Sequence, residues 1–302
     1  MLPSRPRVLV AYKSSALEHY QAGAGRDGLV NVAALLEAGD PSVANLRTAH
    51  DSHYTGLRAV VAELRARGFE VDLKFRGEVE VATGYDLVVT VGGDGTVLDL
   101  SHHLLGDAPL LGVNSDPNRS VGYFCGATVE TLPAALDALS RDELPVYRLG
   151  RLRLKVNGAV VGPPVLNDLL VTDLNPAATC RYLIEAAGHQ EAQRSSGVWV
   201  STPAGSTAAI RSAGGLVLPL RSQLLQYLVR EPYPPITGRY NLLRGVLTME
   251  DGLAFTCQME QGAVYVDGPH TVVKVGVGDR IEVRPHSTPL HLLGIDASRR
   301  VA

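Results

Sequence analysis

The stretch of residues 88–98 (VVTVGGDGTVL) constrains the fold of this chain more than any other. An apolar, β-branched run typical of a buried strand ends in three glycines around Asp94, and a helix-like apolar pattern follows. Glycine lets backbone N–H groups approach anionic oxygens, and a helix N-terminus carries a positive partial charge. The pattern therefore predicts a phosphate-binding turn between a strand and a helix.

The residue types in this turn suggest different roles in binding and transferring phosphate. Gly92, Gly93 and Gly95 would supply backbone donors, and Thr96 would cap the helix or bind a phosphate oxygen. The Asp94 carboxylate would repel phosphate, so we expect it to accept a proton from a hydroxyl about to be phosphorylated, or to reach a metal. The structural alternative is a glycine hairpin with a capping aspartate.

Composition narrows the class of protein. The chain has 302 residues, and its 31 acidic and 28 basic side chains nearly balance, which favours neither nucleic acid nor acidic lipid as a partner. Three cysteines far apart in sequence argue for a reducing compartment and against a disulfide frame or a thiolate metal site. The sequence contains no apolar run of about 18 residues, the length that would predict a membrane-spanning helix. Its first residues lack the apolar core of a signal peptide. We expect a cytoplasmic protein.

The N-terminal part predicts an α/β lobe. Lys13, Asn114 and Asp116 follow strands, and the carboxyl ends of strands in an open α/β sheet form its ligand edge. Lys13 is a candidate phosphate cation, although an exposed lysine without a role fits equally. The predicted strands are Arg7–Tyr12, 69–75, 85–91 and 109–113, and the predicted helices are 50–67 and 131–139.

Two other features of this lobe predict no site. Residues 23–28 match the dinucleotide pattern G-x-G-x-x-G, but polar helix-like residues precede them instead of a strand, so we expect a surface loop. His50 and His53 lie on a predicted helix without a third ligand, and we expect them to be solvated.

The C-terminal part predicts a mainly antiparallel, β-rich lobe. Arg151, Arg153 and Lys155 share one face of a strand, which we expect to be solvated. We place the domains at 1–143, rejoined by 286–302, and at 144–285, with 290–295 as an apolar run returning to the first lobe. Strands are predicted at 165–171, 181–187, 198–201, 253–259, 264–266, 271–275 and 280–283.

Two polar motifs in this second lobe suggest a nucleotide site. Asn167 and Asp168 interrupt an apolar strand, which costs free energy unless they find partners such as a purine edge and ribose hydroxyls. A β-bulge or turn is the alternative. Residues 201–208 (STPAGSTA) form a polar turn of small residues that a nucleotide could approach closely, or an ordinary hydroxyl-capped turn.

Together these motifs resemble the NAD kinase family. Residues 92–96, 167–168 and 201–208 are similar to its glycine, Asn-Glu and second glycine signatures, and 264–268 to a weaker fourth element. The resemblance extends in order from about Arg7 to the C-terminus. The first motif alone is shared with lipid kinases and phosphofructokinases, whereas the combination is specific.

The resemblance implies a Rossmann-like α/β lobe and a β-rich lobe with the active site between them. It implies phosphoryl transfer from ATP, or polyphosphate, to the adenosine 2′-hydroxyl of NADH or NAD. It also implies Mg²⁺ with ATP, no protein metal site, and a homo-oligomer. The resemblance implies three roles for residues of this chain. Asp94 would be the general base. The donor phosphates would be bound by Lys13, Gly92, Gly93, Gly95 and Thr96, and the dinucleotide would be bound by Asn114, Asp116, Asn167, Asp168, Ser196, Thr202, Gly205, Ser206 and Thr207.

Four departures from the family pattern are similar to its plant-type NADH kinase branch. Asp168 replaces a glutamate, Ser196 an acidic residue, Ala204 a threonine and Ala209 a tyrosine. Compared with the family pattern, Ser196 lacks a negative charge and Ala209 lacks an aromatic π face. Both of these groups favour the cationic oxidised nicotinamide. We therefore expect NADH to be the better substrate.

Two other classes of function share part of the pattern. A diacylglycerol or sphingosine kinase would share the glycine turn, but it should lack the second signature and present an apolar membrane face, which the sequence does not show. A non-catalytic dinucleotide sensor would keep the pocket and lose the base, and Asp94 argues against that.

Overall fold

The computed structural model describes residues 3–22, 32–235, 237–296 and 298. The chain forms two compact units, one of Met1–Val146 with Leu292–Asp296 and one of Tyr147–His291 with Ala297–Ala302. The loop predicted at 23–28 lies outside the described residues. No helix in the described part of the chain is long and apolar enough to cross a membrane.

The first unit alternates strands and helices, as expected for an α/β lobe. Its helices are α1 (Ala16–Ala22), α2 (Val32–Glu37), α3 (Leu46–Ala66), α4 (Asp94–Ser101) and α5 (Leu132–Ser140), with a 3₁₀ turn at Arg76–Glu78. Its strands are β1 (Arg7–Tyr12), β2 (Glu70–Phe75), β3 (Leu87–Gly92), β4 (Leu110–Asn114) and β5 (Cys125–Thr128), and β6 (Val146–Leu149) begins at its last residue.

The second unit is rich in strands. They are β7 (Leu152–Val156), β8 (Ala159–Val165), β9 (Asp168–Asp173), β10 (Cys180–Ala186), β11 (His189–Ser195), β12 (Val198–Ser201), β13 (Leu224–Val229), β14 (Arg244–Thr248), β15 (Leu253–Cys257), β16 (Gly262–Val266), β17 (Thr271–Val275) and β18 (Arg280–Pro285). The last strand, β19 (Leu290–Leu293), begins at the end of this unit and continues into the first. A 3₁₀ turn at Ala204–Thr207 leads to the short helix α6 (Ala209–Ser212).

The sheet of the first unit has the strand order β2-β1-β3-β4-β19-β6, and β5 also pairs with β4. Strands β1 to β4 pair in parallel, and β19 joins β4 in parallel at Leu292 and Leu110, so the last apolar run does return to this lobe. Every residue of β3 is buried, because its apolar side chains pack on both faces, as in covered parallel sheets. Helix α3 contributes Leu57, Val60 and Leu64 to the core beneath it.

The second unit contains two six-stranded sheets, with the orders β11-β10-β15-β18-β7-β8 and β14-β13-β12-β9-β16-β17. Their pairings are antiparallel, and one continuous apolar core includes side chains from both sheets, such as Tyr182 and Phe255 from the first and Val198 and Val264 from the second. Strand β12 lies between β9 and β13, with Ser201 opposite Asp168. This register brings the two polar motifs of the unit side by side.

Several predicted elements are wrong in detail. The single strand predicted at 165–171 is two strands, β8 and β9, with a bend at Leu166 and Asn167. Arg151 is 1% exposed and does not belong to a solvated face. Strand β11 was missed, because its sequence HQEAQRS carries no apolar alternation.

Candidate active site

The glycine turn of the first unit has the predicted strand–turn–helix context. Strand β3 ends at Gly92, Gly93 is the N-cap in an extended conformation, and α4 begins at Asp94. A Cβ on Gly92 would lie 2.2 Å from Thr96 Oγ1, and one on Gly93 would lie 2.5 Å from Ser120 Oγ. Gly92 therefore needs glycine, because the β-branched Thr96 side chain occupies the space of a side chain there, whereas at Gly93 the Ser120 hydroxyl would have to rotate away.

Thr96 is not a helix cap. No side chain caps α4, and the Thr96 N–H donates to Gly93 O at 2.9 Å. Its Oγ1 is buried against Gly92 and has no hydrogen-bond partner among the described residues. Buried hydroxyls are nearly always paired, so the alternative of a phosphate contact at Thr96 stays a prediction.

Asp94 is held by the backbone of a distant loop. Its Oδ1 accepts a hydrogen bond from the Phe124 N–H at 2.7 Å. The carboxylate is half-buried at the first residue of α4, close to the backbone donors of the glycine turn. Sequence reasoning missed Phe124, because a backbone donor leaves no signature in the residue type.

Asn114 and Asp116 lie beside the glycine turn, but the Asn114 side chain is used within the fold. Asn114 pairs with Gly92 in the sheet and is 3% exposed. Its Nδ2 donates to Ser120 O at 2.9 Å, and its Oδ1 accepts from the Asp116 N–H at 3.1 Å. Asp116 forms an ion pair with Arg119. Asn114 therefore shapes the loop over the turn, and no dinucleotide contact is needed to explain it.

His53 is buried, contrary to the expectation that it is solvated. It is 2% exposed, with Nε2 at 2.9 Å from the Lys13 carbonyl oxygen and Nδ1 at 3.0 Å from Ser115 Oγ. A carbonyl only accepts, so Nε2 carries the proton and Nδ1 accepts from the Ser115 hydroxyl. Burial lowers the pKa of His53. The neutral ring ties the end of β1 to the end of β4, and places Lys13 at the same sheet edge as Gly92.

The second unit holds Asn167 in a braced turn. The Asp267 carboxylate accepts from the backbone N–H groups of Leu166, Asn167 and Asp168 at 2.8, 2.7 and 3.0 Å. The Asp267 N–H donates in return to Asp168 O at 2.9 Å. Asp267 belongs to the weak fourth element of the sequence, and this contact is its structural role.

The second glycine signature packs directly on this turn. The Thr202 N–H donates to Asn167 O at 2.9 Å, and Thr202 Oγ1 donates to Leu166 O. A Cβ on Gly205 would lie 2.1 Å from Asn167 O. Ser206 is fully buried, and its Oγ donates to Pro203 O at 2.7 Å and accepts from the Leu218 N–H at 3.0 Å. The Thr202 and Ser206 hydroxyls are therefore hydrogen-bonded within the fold and buried, and their predicted contact with a dinucleotide stays a prediction.

Asn167 and Asp168 retain unusual polar groups. Asn167 Oδ1 is buried and has no hydrogen-bond partner within the described part of the chain. Asp168 is 7% exposed, and burial, with a further contribution from the Asp267 carboxylate, raises the pKa of Asp168 to about 7. Thr207 is half-buried beside this turn. The turn thus carries a buried amide oxygen on Asn167 and a carboxyl group on Asp168 whose pKa is about 7.

Ser196 lies away from Asn167, Asp168 and Gly205. Its carbonyl oxygen accepts from Thr172 Oγ1 and from an Arg230 guanidinium N–H, at the end of β12 away from Ser201. Ser196 lies two residues before β12 and Ser201 is the last residue of β12, so the length of the strand Val198–Ser201, about 10 Å, lies between them. The structure therefore brings Asn167, Asp168 and Gly205 together, and leaves Ser196 apart.

No group of three or more His, Cys, Asp or Glu side chains that could hold a metal ion occurs among the described residues. Carboxylates near the glycine turn are Asp94, held by Phe124, and Asp116, paired with Arg119.

A glycine turn suited to anionic oxygens, with a carboxylate at the start of the following helix, is the arrangement expected of a nucleotide-dependent phosphotransferase. Residues 42–144 match the model of the ATP-NAD kinase N-terminal domain. The chain is 39% identical to a probable NADH kinase of Oryza sativa, over 66% of this chain and 67% of the rice protein. It is 34% identical to the NADH kinase of Arabidopsis thaliana, over 68% of this chain and 72% of that protein. The chain belongs to the NAD kinase family.

Two solved structures share its fold. An NAD kinase from Archaeoglobus fulgidus in complex with ATP superposes with a TM-score of 0.68 at 21% identity, covering 97% of this chain and 95% of that one. Yeast NADH kinase complexed with NADH also gives a TM-score of 0.68, at 16% identity, covering 99% of this chain and 87% of the yeast chain. The predicted two-part fold, an α/β lobe followed by a β-rich lobe, is confirmed.

Proposed function

We propose that this chain is an NAD(H) kinase that transfers the γ-phosphoryl group of ATP to the adenosine 2′-hydroxyl of NADH or NAD. A new P–O bond forms at the 2′-oxygen, the bond between the γ-phosphorus and the β,γ-bridging oxygen breaks, and ADP leaves. The observation that carries the proposal is the Asp94 carboxylate, held by the Phe124 N–H at 2.7 Å beside the glycine turn. It would take the proton of the 2′-hydroxyl as general base.

The residues proposed to bind the donor phosphates are those of the glycine turn in the first unit. The backbone N–H groups of Gly92, Gly93 and Gly95 at the start of α4 suit anionic oxygens. Thr96 Oγ1, which has no hydrogen-bond partner among the described residues, and the Lys13 ammonium are the side-chain candidates for the same phosphates. Mg²⁺ would enter with ATP, held by its phosphates with Asp94 or Asp116 nearby, and would neutralise their charge.

The residues proposed to bind the acceptor dinucleotide are those of the braced turn at Asn167 in the second unit. The Asn167 amide oxygen, which no described residue hydrogen-bonds, suits a donor on a purine edge, and the Asp168 carboxyl suits ribose hydroxyls. The Gly205 backbone packs against Asn167, and Thr207 is the remaining hydroxyl candidate. Thr202 and Ser206 would act through the scaffold.

NADH is proposed as the preferred acceptor. The two plant relatives are named NADH kinases, and the chain carries Ser196 and Ala209 where the family pattern has an acidic and an aromatic residue. We further propose a cytoplasmic homo-oligomer, whose mass light scattering on the purified protein would measure.

The test is an assay of the purified protein with Mg²⁺ and ATP or polyphosphate, offering NADH, NAD or a diacylglycerol as acceptor. We expect NADPH and NADP with ATP as donor, and no lipid phosphate. Phosphorylation of the diacylglycerol alone, or dinucleotide binding without turnover, would overturn the proposal in favour of a lipid kinase or a sensor.

A further inference from the structure

His53 is a buried histidine of α3 that the proposed reaction does not use. Its Nε2 lies 2.9 Å from the Lys13 carbonyl oxygen, and its Nδ1 lies 3.0 Å from Ser115 Oγ. Both ring nitrogens are therefore paired, as a polar ring must be if its burial is not to cost stability. An apolar side chain could fill the same space without needing partners, so these two hydrogen bonds are what a histidine adds at this position.

The two hydrogen bonds of His53 have a fixed direction. A carbonyl oxygen only accepts, so Nε2–H donates to Lys13 and Nδ1 accepts from the Ser115 hydroxyl. Burial lowers the pKa of His53 from its ordinary value, and the ring is therefore neutral at pH 7. A neutral imidazole carries one donor and one acceptor on a rigid ring, and His53 uses both of them to join two segments that are distant in sequence.

The chain of hydrogen bonds continues from Ser115 to the glycine turn. The Ser115 N–H donates to Gly92 O at 3.1 Å, and Ser115 is itself buried. Lys13 directly follows β1, Ser115 directly follows β4, and Gly92 is the last residue of β3. Because β3 lies between β1 and β4 in the sheet, His53 spans the strand that carries the glycine turn and joins its neighbours on both sides.

Helix α3 also holds the segment that carries Lys13 at a second point. His50, about one helical turn before His53, has its Nδ1 2.8 Å from Ser15 Oγ. The chain after β1 is therefore tied to α3 at Lys13 and again two residues later. Loss of the His53 ring would remove the tie at Lys13 itself, together with the connection from α3 to Ser115.

We infer that His53 is a positioning residue for the phosphate donor: by bonding the Lys13 carbonyl oxygen and the Ser115 hydroxyl, it sets the position of Lys13 relative to the glycine turn at Gly92. This inference rests on the proposed function, in which Lys13 and the glycine turn bind the phosphates of ATP. A His53 that only stabilised the fold predicts a different outcome. Its replacement would lower stability and the amount of folded protein, but the folded fraction would bind ATP as tightly as the wild type.

The experiment compares His53→Ala and His53→Gln with a control, Leu57→Ala, in the full-length protein. Leu57 lies about one turn further along α3 and is buried in the apolar core, so its truncation lowers stability without removing a hydrogen bond. Calorimetric titration measures the Kd for ATP and the Kd for NADH separately, and circular dichroism gives the folded fraction. We expect the Kd for ATP to rise about fivefold or more in His53→Ala, as for lost buried hydrogen bonds. The rise should be about threefold or less in His53→Gln, which keeps an N–H donor for the Lys13 carbonyl. The Kd for NADH should stay within about twofold, and Leu57→Ala should bind ATP like the wild type.

An unchanged Kd for ATP in folded His53→Ala would overturn the inference, as would equal rises for ATP and NADH or an equal rise in Leu57→Ala. If His53→Ala does not fold, Ser115→Ala decides, since it removes the hydroxyl that donates to the ring; an unchanged Kd for ATP then refutes the positioning role. Lys13→Met separates this failure from others. If Lys13→Met raises the Kd for ATP and the His53 and Ser115 variants do not, only the inference fails. If the wild type phosphorylates neither NADH nor NAD, the proposed function itself fails.

Discussion

Gly205 lies so close to Asn167 that a Cβ at position 205 would stand 2.1 Å from the Asn167 carbonyl oxygen. The two residues are 38 positions apart in the sequence. Strands β9 and β12 pair with each other in a register that puts Asp168 opposite Ser201, and this pairing brings the two motifs together. The glycine signature of the second unit is thus a packing requirement of the Asn167 turn, because only a residue without a side chain permits this approach.

Gly205→Ala tests that relationship. The added methyl group forces the backbone of the Asn167 turn to move, and we expect a loss of about 1–3 kcal/mol in the free energy of unfolding, as for other overpacked sites. KM for the dinucleotide should rise as well. Gly106→Ala is the control, since a Cβ there meets nothing within 4 Å. Equal unfolding midpoints for the two variants in urea would contradict the packing argument.

Asp94→Asn should leave nucleotide binding nearly intact and lower turnover. The amide keeps the shape of the side chain and can still accept from the Phe124 N–H, but it takes no proton from the 2′-hydroxyl. Loss of a general base lowers the rate by about 10²–10⁴. Steady-state kinetics with NADH and ATP measure this, and a kcat within about threefold of wild type would mean that Asp94 is not the base.

Ser206→Ala and Thr207→Ala should have different effects. Ser206 makes two buried hydrogen bonds inside the turn, so its loss should cost about 1–3 kcal/mol of stability. Thr207 is half-buried, and its loss should weaken NADH binding without a comparable change in stability. Calorimetric titration and thermal unfolding of each variant check this; a reversed pattern would return Ser206 to the ligand.

Asp168 should make the stability of the protein depend on pH. Burial raises the pKa of Asp168 to about 7 in the folded protein, against about 3.9 in an unfolded chain. The group therefore stabilises the fold fully below the unfolded value, and this contribution is lost as pH rises through about 7, at about 1.4 kcal/mol per pKa unit. Asp168→Asn, which cannot ionise, should flatten the fall in stability between pH 5 and pH 8. Parallel urea curves for wild type and variant at both pH values would rule out this assignment.

The preference for NADH over NAD is tested by the ratio of their kcat/KM values under identical ATP and Mg²⁺. We expect a ratio above one, because the chain has Ser196 and Ala209 where the family pattern has groups that attract a cationic ring. Ser196→Asp should shift the ratio towards NAD. A wild-type ratio at or below one refutes the preference, whereas an unresponsive Ser196→Asp variant refutes only the electrostatic account. Such an outcome would agree with the distance of Ser196 from the Asn167 turn.

Elements with a strong local signal were predictable from sequence. Strands β1 and β3 and the glycine turn at Gly92 follow from apolar β-branched runs and from residues without a side chain, and helix α3 follows from its 3–4 spacing of Leu57, Val60 and Leu64. Strand β11 was not predictable, because its stability comes from antiparallel pairing with β10 and not from its own polar sequence.

The sequence by itself determined the family, the two-part fold and the identity of the chemical groups, because glycine turns, strand periodicity and the order of the motifs are local properties. Only the tertiary structure decided which polar groups are available. Arg151 and His53 were expected to be solvated and are buried, and the hydroxyls of Thr202 and Ser206 were expected to face a ligand and are used inside the fold. The environment of a polar atom depends on partners far away in sequence, such as Asp267, which binds the amides of Leu166, Asn167 and Asp168 across about one hundred residues.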